Sequence, residues 1–123
     1  MQQALNRYLY TIRLLKKRQS YVCSADIARY LGVKPPSVCV AVRRLREQGY
    51  LVREEDGNLT LSPSGTEYAD RLHERVCFFS QLLLKLGVES ETAEEDAIAF
   101  SWTMSDSSYD AFRRFFWFTT AAE

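Results

Sequence analysis

The sequence predicts a mainly α-helical fold in two parts, a small helical unit closed by one β-hairpin and a helical C-terminal half. Three observations carry that prediction. Apolar residues recur at helical spacing over six separate stretches. An Asp-Gly pair between two short apolar runs, 50–53 and 59–61, marks a single hairpin. Charge is split along the chain: sixteen Lys+Arg and sixteen Asp+Glu cancel overall, yet residues 1–53 hold eleven basic against two acidic residues, a sum of +9, and residues 54–123 carry −9.

The first helix is predicted from Leu5, Tyr8, Leu9, Ile12 and Leu15, and ends before Ser20-Tyr21. A second, short helix starts at an N-cap on Ser24, turns Ala25, Ile27, Ala28 and Leu31 inward, and stops at Gly32. The third begins at Pro35-Pro36, where proline suits a first turn, and runs to Gly49. Its apolar face is Val38, Ala41, Val42 and Leu45. Its opposite face carries Ser37, Val40, Arg43, Arg44 and Glu47, a polar and basic surface that a core does not need. The hairpin then turns through Glu55-Asp56-Gly57-Asn58. Three helices followed by such a hairpin have the order of a winged helix-turn-helix, so residues 1–62 are expected to form a DNA-binding domain.

Residues 63–123 are expected to form a helical dimerisation domain. Ser62 caps a long helix that starts at Pro63, tolerates Gly65 in its first turn, reaches about Leu86 and stops at Gly87. Two further helices span about 92–103 and 107–119, joined by Ser105-Asp106-Ser107. Phe112, Phe115, Phe116, Trp117 and Phe118 leave the last one little polar face. A helix apolar nearly all round is buried on several sides, and a second copy of the chain is the expected cover, with Phe112, Phe115 and Phe116 at the interface. A monomeric aromatic core is the alternative.

Composition narrows the function. No apolar run approaches the roughly 20 residues of a membrane span, and the first twenty residues lack the apolar core of a secretion signal, so a cytoplasmic location without a membrane partner is expected. Cys23, Cys39 and Cys77 are odd in number and widely spaced, which suits reduced thiols. With one His, no Gly-rich phosphate loop and no paired Cys motif, no catalytic residue is expected. The basic half containing the helix-turn-helix is steered toward phosphates by the charge asymmetry, and a duplex operator is the expected partner. A winged-helix adaptor that binds another protein instead is the alternative from a different class.

The chain resembles the diphtheria toxin repressor family of iron- and manganese-dependent regulators, in its short two-domain form. The resemblance rests on the Tyr8-to-Leu15 helix, Asp26-Ile27-Ala28 with Leu31-Gly32-Val33 and Pro36-Ser37-Val38, Gly49-Tyr50-Leu51-Val52, Leu59-Thr60-Leu61-Ser62 with Gly65, and Leu83-Leu84 with Leu86-Gly87-Val88 and the following Glu94-Glu95-Asp96-Ala97. It implies a homodimeric metalloregulator-like repressor. It also implies where the family's metal ligands would fall: Arg7 and Tyr10, Val76, and Ile98, Ser101 and Trp102. None suits manganese or ferrous iron, so a metal-free site, no cofactor and metal-independent DNA binding are expected. Switching would then come from another signal, with a small apolar or aromatic effector left open.

The expected DNA-binding residues are Lys34, Pro36, Ser37, Val40, Arg43, Arg44 and Asn58. Ser37 and the backbone at Pro36 lie at a helix N-terminus, suited to a phosphate or a base edge. Val40 fits either a thymine methyl group or packing against the wing. Arg43 and Arg44 lie farther along and suit phosphates. Two side readings concern the thiols: His73 and Cys77, four apart on the long helix, could begin a relocated metal site, and Cys23 or Cys39 could act as a redox switch near the DNA-facing unit.

Overall fold

The computed structural model describes residues 2–116, in the order α1 Gln2–Arg18, α2 Ser24–Leu31, α3 Pro35–Glu47, β1 Leu51–Arg53, β2 Leu59–Leu61, α4 Pro63–Lys85, α5 Ser90–Thr103 and α6 Asp106–Phe115. Two compact units, Met1–Asp70 and Arg71–Glu123, divide the chain inside α4. The expected mainly helical architecture is present: an N-terminal helix-turn-helix with a small β-wing, followed by a helical region. Among the described residues no helix is long and apolar enough to cross a membrane.

The core of the first unit follows the apolar periodicity. Leu5, Leu9, Ile12 and Leu15 of α1, Ile27 of α2, and Val38, Ala41, Val42 and Leu45 of α3 are all buried, as 3.6-residue spacing requires. The strands pair antiparallel with Leu51 opposite Leu61 and Arg53 opposite Leu59, and Leu51 and Leu59 turn inward.

The expected ends of several elements shift for local reasons. The cap of α2 is Cys23 rather than Ser24, because the Asp26 carboxylate reaches back to accept from the Cys23 N–H at 3.0 Å. That bond, with smaller help from the Cys23 thiol and Arg29, holds the Asp26 carboxyl below the usual carboxylate range. Helix α3 ends at Glu47, two residues short of Gly49, and Tyr50 lies outside β1. The hairpin is not closed by a two-residue Asp-Gly turn. Only Gly57 has positive φ there, +90°, so the loop closes through Glu54 N–H to Asn58 C=O at 2.8 Å and Gly57 N–H to Glu54 C=O at 3.0 Å.

Helix α4 is capped by Ser62, whose Oγ accepts from the Gly65 N–H at 3.0 Å and donates to the Gly49 carbonyl at 2.6 Å. Gly65 is required here rather than tolerated: a Cβ at this position would overlap the Tyr50 carbonyl, 2.8 Å from its carbon. Helix α5 starts at Ser90, earlier than expected, because Glu89 caps it by accepting from the N–H groups of Glu91 and Thr92. These two bonds lower the Glu89 carboxyl.

The described part of α6 is not apolar all round. It buries Tyr109 and exposes Asp106, Asp110, Arg113 and Arg114 alongside Phe112 and Phe115, because polar residues occupy the positions between its rings. Trp117 and Phe118, expected in the same helix, lie outside the described residues.

Candidate nucleic-acid interface

The helix-turn-helix fixes α3 by its buried face and leaves the other face open. Lys34, Pro36, Ser37, Val40, Arg43 and Arg44, all expected to meet DNA, are exposed on one element. Lys34 occupies the N-cap, and the first turn carries no acidic residue. The positive end of the helix dipole is therefore uncompensated by any carboxylate of its own turn. Val40 is 42% exposed rather than buried against the wing.

Asn58, the seventh expected residue, is half-buried at the end of the hairpin loop. Its Oδ1 accepts from the Val22 N–H at 3.0 Å and from Lys16 Nζ at 3.1 Å. Beside it the Leu59 N–H donates to the Val22 carbonyl at 2.7 Å, and Tyr21 Oη donates to the Asp56 carbonyl at 2.7 Å. The base of the wing is thereby tied to the segment that enters α2. The wing tip itself carries Glu54, Glu55 and Asp56, all exposed, a charge that opposes phosphate.

Two arginines belong beside the expected set. An open groove of about 600 Å³ is lined by Arg43, Arg46, Glu47, Leu51, Val52 and Arg53, so Arg46 and Arg53 extend the basic surface from α3 onto β1. The spacing of Arg46, three residues after Arg43, was the available sequence signal. Nothing local marked Arg53, which reaches the groove only because β1 runs beside α3.

In the second unit the organising side chain is Arg75. It is 8% exposed. Nη1 donates to the carbonyls of Ser101 at 3.4 Å and Met104 at 2.7 Å, and Nη2 pairs with Asp106 Oδ1. The guanidinium also lies over the Tyr109 ring, 4.8 Å from its centroid. One cation thus satisfies carbonyls at the C-terminal end of α5 and holds the first turn of α6. Phe79 makes edge-to-face contacts with Phe78, Phe100 and Phe112, at 5.0, 5.5 and 5.6 Å, and Phe78 meets the Tyr109 ring edge-on at 5.8 Å. Burial in this setting pushes the Tyr109 phenol above its ordinary value. Sequence reasoning missed Arg75, although it shares the helical face of Leu72, Val76 and Phe79.

Of the remaining expected positions, Tyr10, Val76 and Ser101 are buried, and Arg7, Ile98 and Trp102 are half-buried. Ser101 Oγ donates to the Ile98 carbonyl at 2.7 Å, and the Arg7 carbonyl accepts from Thr11 Oγ1 at 2.8 Å. A guanidinium, a phenol, one hydroxyl bonded to its own helix and three apolar side chains do not fit manganese or iron, which take carboxylate, imidazole or thiolate donors. Among the described residues no three His, Cys, Asp or Glu side chains gather as a metal site, so His73 and Cys77 have no third ligand of this kind. Phe112 and Phe115 are exposed, and Phe116 stacks on Phe112 with centroids 6.0 Å apart.

Comparison with known proteins gives consistent matches. The family model for the iron dependent repressor, N-terminal DNA binding domain, matches residues 2–59. The HTH-type transcriptional regulator MntR of Lysinibacillus sphaericus (strain C3-41) is 34% identical over 107 residues, which cover 87% of this chain and 77% of that protein. The crystal structure of T. acidophilum IdeR superposes with a TM-score of 0.72 at 28% identity, over 90% of this chain and 53% of its own. A manganese-dependent transcriptional repressor solved in complex with manganese gives a TM-score of 0.78 at 23% identity, over 93% and 53%. The chain spans about half the length of those two structures.

Proposed function

We propose that this chain, which belongs to the iron-dependent repressor family of DNA-binding transcriptional regulators, reads a specific duplex operator as a cytoplasmic homodimer and needs neither manganese nor iron to do so. Its helix-turn-helix is the DNA-binding element. The observation that carries the finer reading is the undivided exposed face of α3, from Lys34 to Arg44.

In the major groove, Ser37 and the backbone at Pro36 meet a base edge or a phosphate at the helix N-terminus, with Lys34 beside them. Val40, exposed one turn on, meets a thymine methyl group. Arg43 and Arg44 hold phosphates, and Arg46 and Arg53 continue that grip along the groove. The acidic wing tip argues against a phosphate grip there, and Asn58 serves by keeping the hairpin in place.

The donor chemistry at Arg7, Tyr10, Val76, Ile98, Ser101 and Trp102 supports metal independence. The exposed rings of Phe112 and Phe115, with Phe116, support a two-fold contact between copies. Operator selected from random duplexes, titrated after exhaustive chelation and again with manganese, ferrous iron, zinc or cobalt, tests the first point. Affinities within about twofold are expected. Tightening of about tenfold, 1.4 kcal/mol of linkage, would refute metal independence while leaving DNA binding intact. Sedimentation tests the second: Phe112→Ser with Phe116→Ser should convert a dimer to monomer and weaken operator binding, and a wild-type monomer at micromolar concentration would refute dimerisation.

A further inference from the structure

The three cysteines sit in three different environments. Cys23 is half-buried at the cap of α2, and its Sγ donates to Asp26 Oδ2 at 3.5 Å. Cys39 is exposed on α3. Cys77 is exposed on α4, and its Sγ lies 3.4 Å from Nε2 of His73, one helical turn earlier. The i, i+4 spacing on a helix fixes that approach without any loop to adjust it.

We propose that Cys77 and His73 form a thiol–base pair that makes Cys77 the chain's site of exchange with low-molecular-weight disulfides. The Cys77 thiol gives its proton to Nε2 of His73 as Sγ attacks one sulfur of the disulfide. The S–S bond of the reagent breaks and a new one forms to Cys77. The departing half leaves as a thiolate and takes up the proton from His73, so the protein thiol is oxidised and half of the reagent is reduced to a thiol. This site lies in the second unit, outside the helix-turn-helix, and neither DNA nor a metal enters the step.

The test uses the full chain and dithiodipyridine, a neutral disulfide, so that the basic surface around Cys39 does not bias the rates. A fast single-thiol phase is expected, and peptide mass spectrometry of the early product should find the label on Cys77. Cys77→Ser should abolish the fast phase. His73→Gln, which keeps a polar side chain but no base, should slow it by about tenfold or more at pH 7.5, with helicity by circular dichroism unchanged. In urea the advantage of Cys77 over Cys39 should vanish. Early label on Cys39 or Cys23, or an undiminished fast phase in His73→Gln, would overturn the proposal; the DNA-binding reading would stand in either case.

Discussion

The two units are held by different chemistry. In Met1–Asp70, aliphatic burial is finished by side chains bonded to backbone: Asn58 to the Val22 N–H, and Ser62 and Ser64 to the Gly49 carbonyl. Asn6, buried in α1, accepts from Tyr68 Oη at 2.8 Å, and the Tyr68 ring meets Tyr50 edge-on. In Arg71–Glu123, aromatic rings meet edge to face, one buried guanidinium bonds the end of α5 and the start of α6, and large apolar side chains remain outside, Leu86 at 72% and Phe115 at 79% exposure. The first unit completes its own core and displays charge. The second displays its largest apolar side chains more openly than the first does.

This contrast can be broken most severely at Gly65. Gly65→Ala places a Cβ against the Tyr50 carbonyl, backbone against backbone, and should cost more than about 3 kcal/mol in urea unfolding, beyond the ordinary range for overpacking. Ser64→Ala, which removes one of two hydroxyls on the Gly49 carbonyl, is the mild control. Wild-type stability in Gly65→Ala would show that the Tyr50–Gly65 approach does not hold this unit together.

Arg75 offers the matching test in the second unit. Arg75→Leu leaves the Ser101 and Met104 carbonyls without their donor and should cost about 2–3 kcal/mol. Arg75→Lys, which keeps the charge and loses the fork, should recover only part of that. Hydrogen exchange should show the loss in amides of α5 and α6. Equal loss of protection in α2 and α3 would mean that the two units do not differ in what Arg75 supports.

A smaller difference lies on the interface itself. Arg43→Ala and Arg44→Ala should each weaken binding to every duplex and lower the salt slope by about one, whereas Ser37 or Val40 changes should alter sequence preference. Affinity that ignores salt would remove the electrostatic half of the comparison.

The smallest effect is acid sensitivity. Asp26 has a depressed folded-state pKa, so its contribution is complete above about pH 4 and fades as pH falls through the folded value. Asp26→Asn should lose on the order of 1 kcal/mol at pH 7 and flatten the stability profile below pH 4. Glu89 at the head of α5 follows the same sign. An unchanged acid profile in Asp26→Asn would place the first loss elsewhere.

Sequence by itself determined what depends on near neighbours. Apolar spacing within one helix picked out the buried faces of α1, α2 and α3, and therefore the exposed face of α3, because 3.6-residue periodicity is a local property. Capping chemistry placed α4 at Ser62-Pro63 for the same reason. Tertiary structure decided whatever depended on a distant partner. The bond from the Val22 N–H, 36 residues upstream, to the Asn58 oxygen had no signal in the sequence around either residue. Gly65 read as tolerated until the Tyr50 carbonyl filled the space where its side chain would be. Arg75 went unnoticed in the sequence because the carbonyls that accept from it lie 26 and 29 residues away. No pattern within a few residues encodes such partners; the fold selects them, because a buried polar group must find its hydrogen bonds wherever the chain brings them.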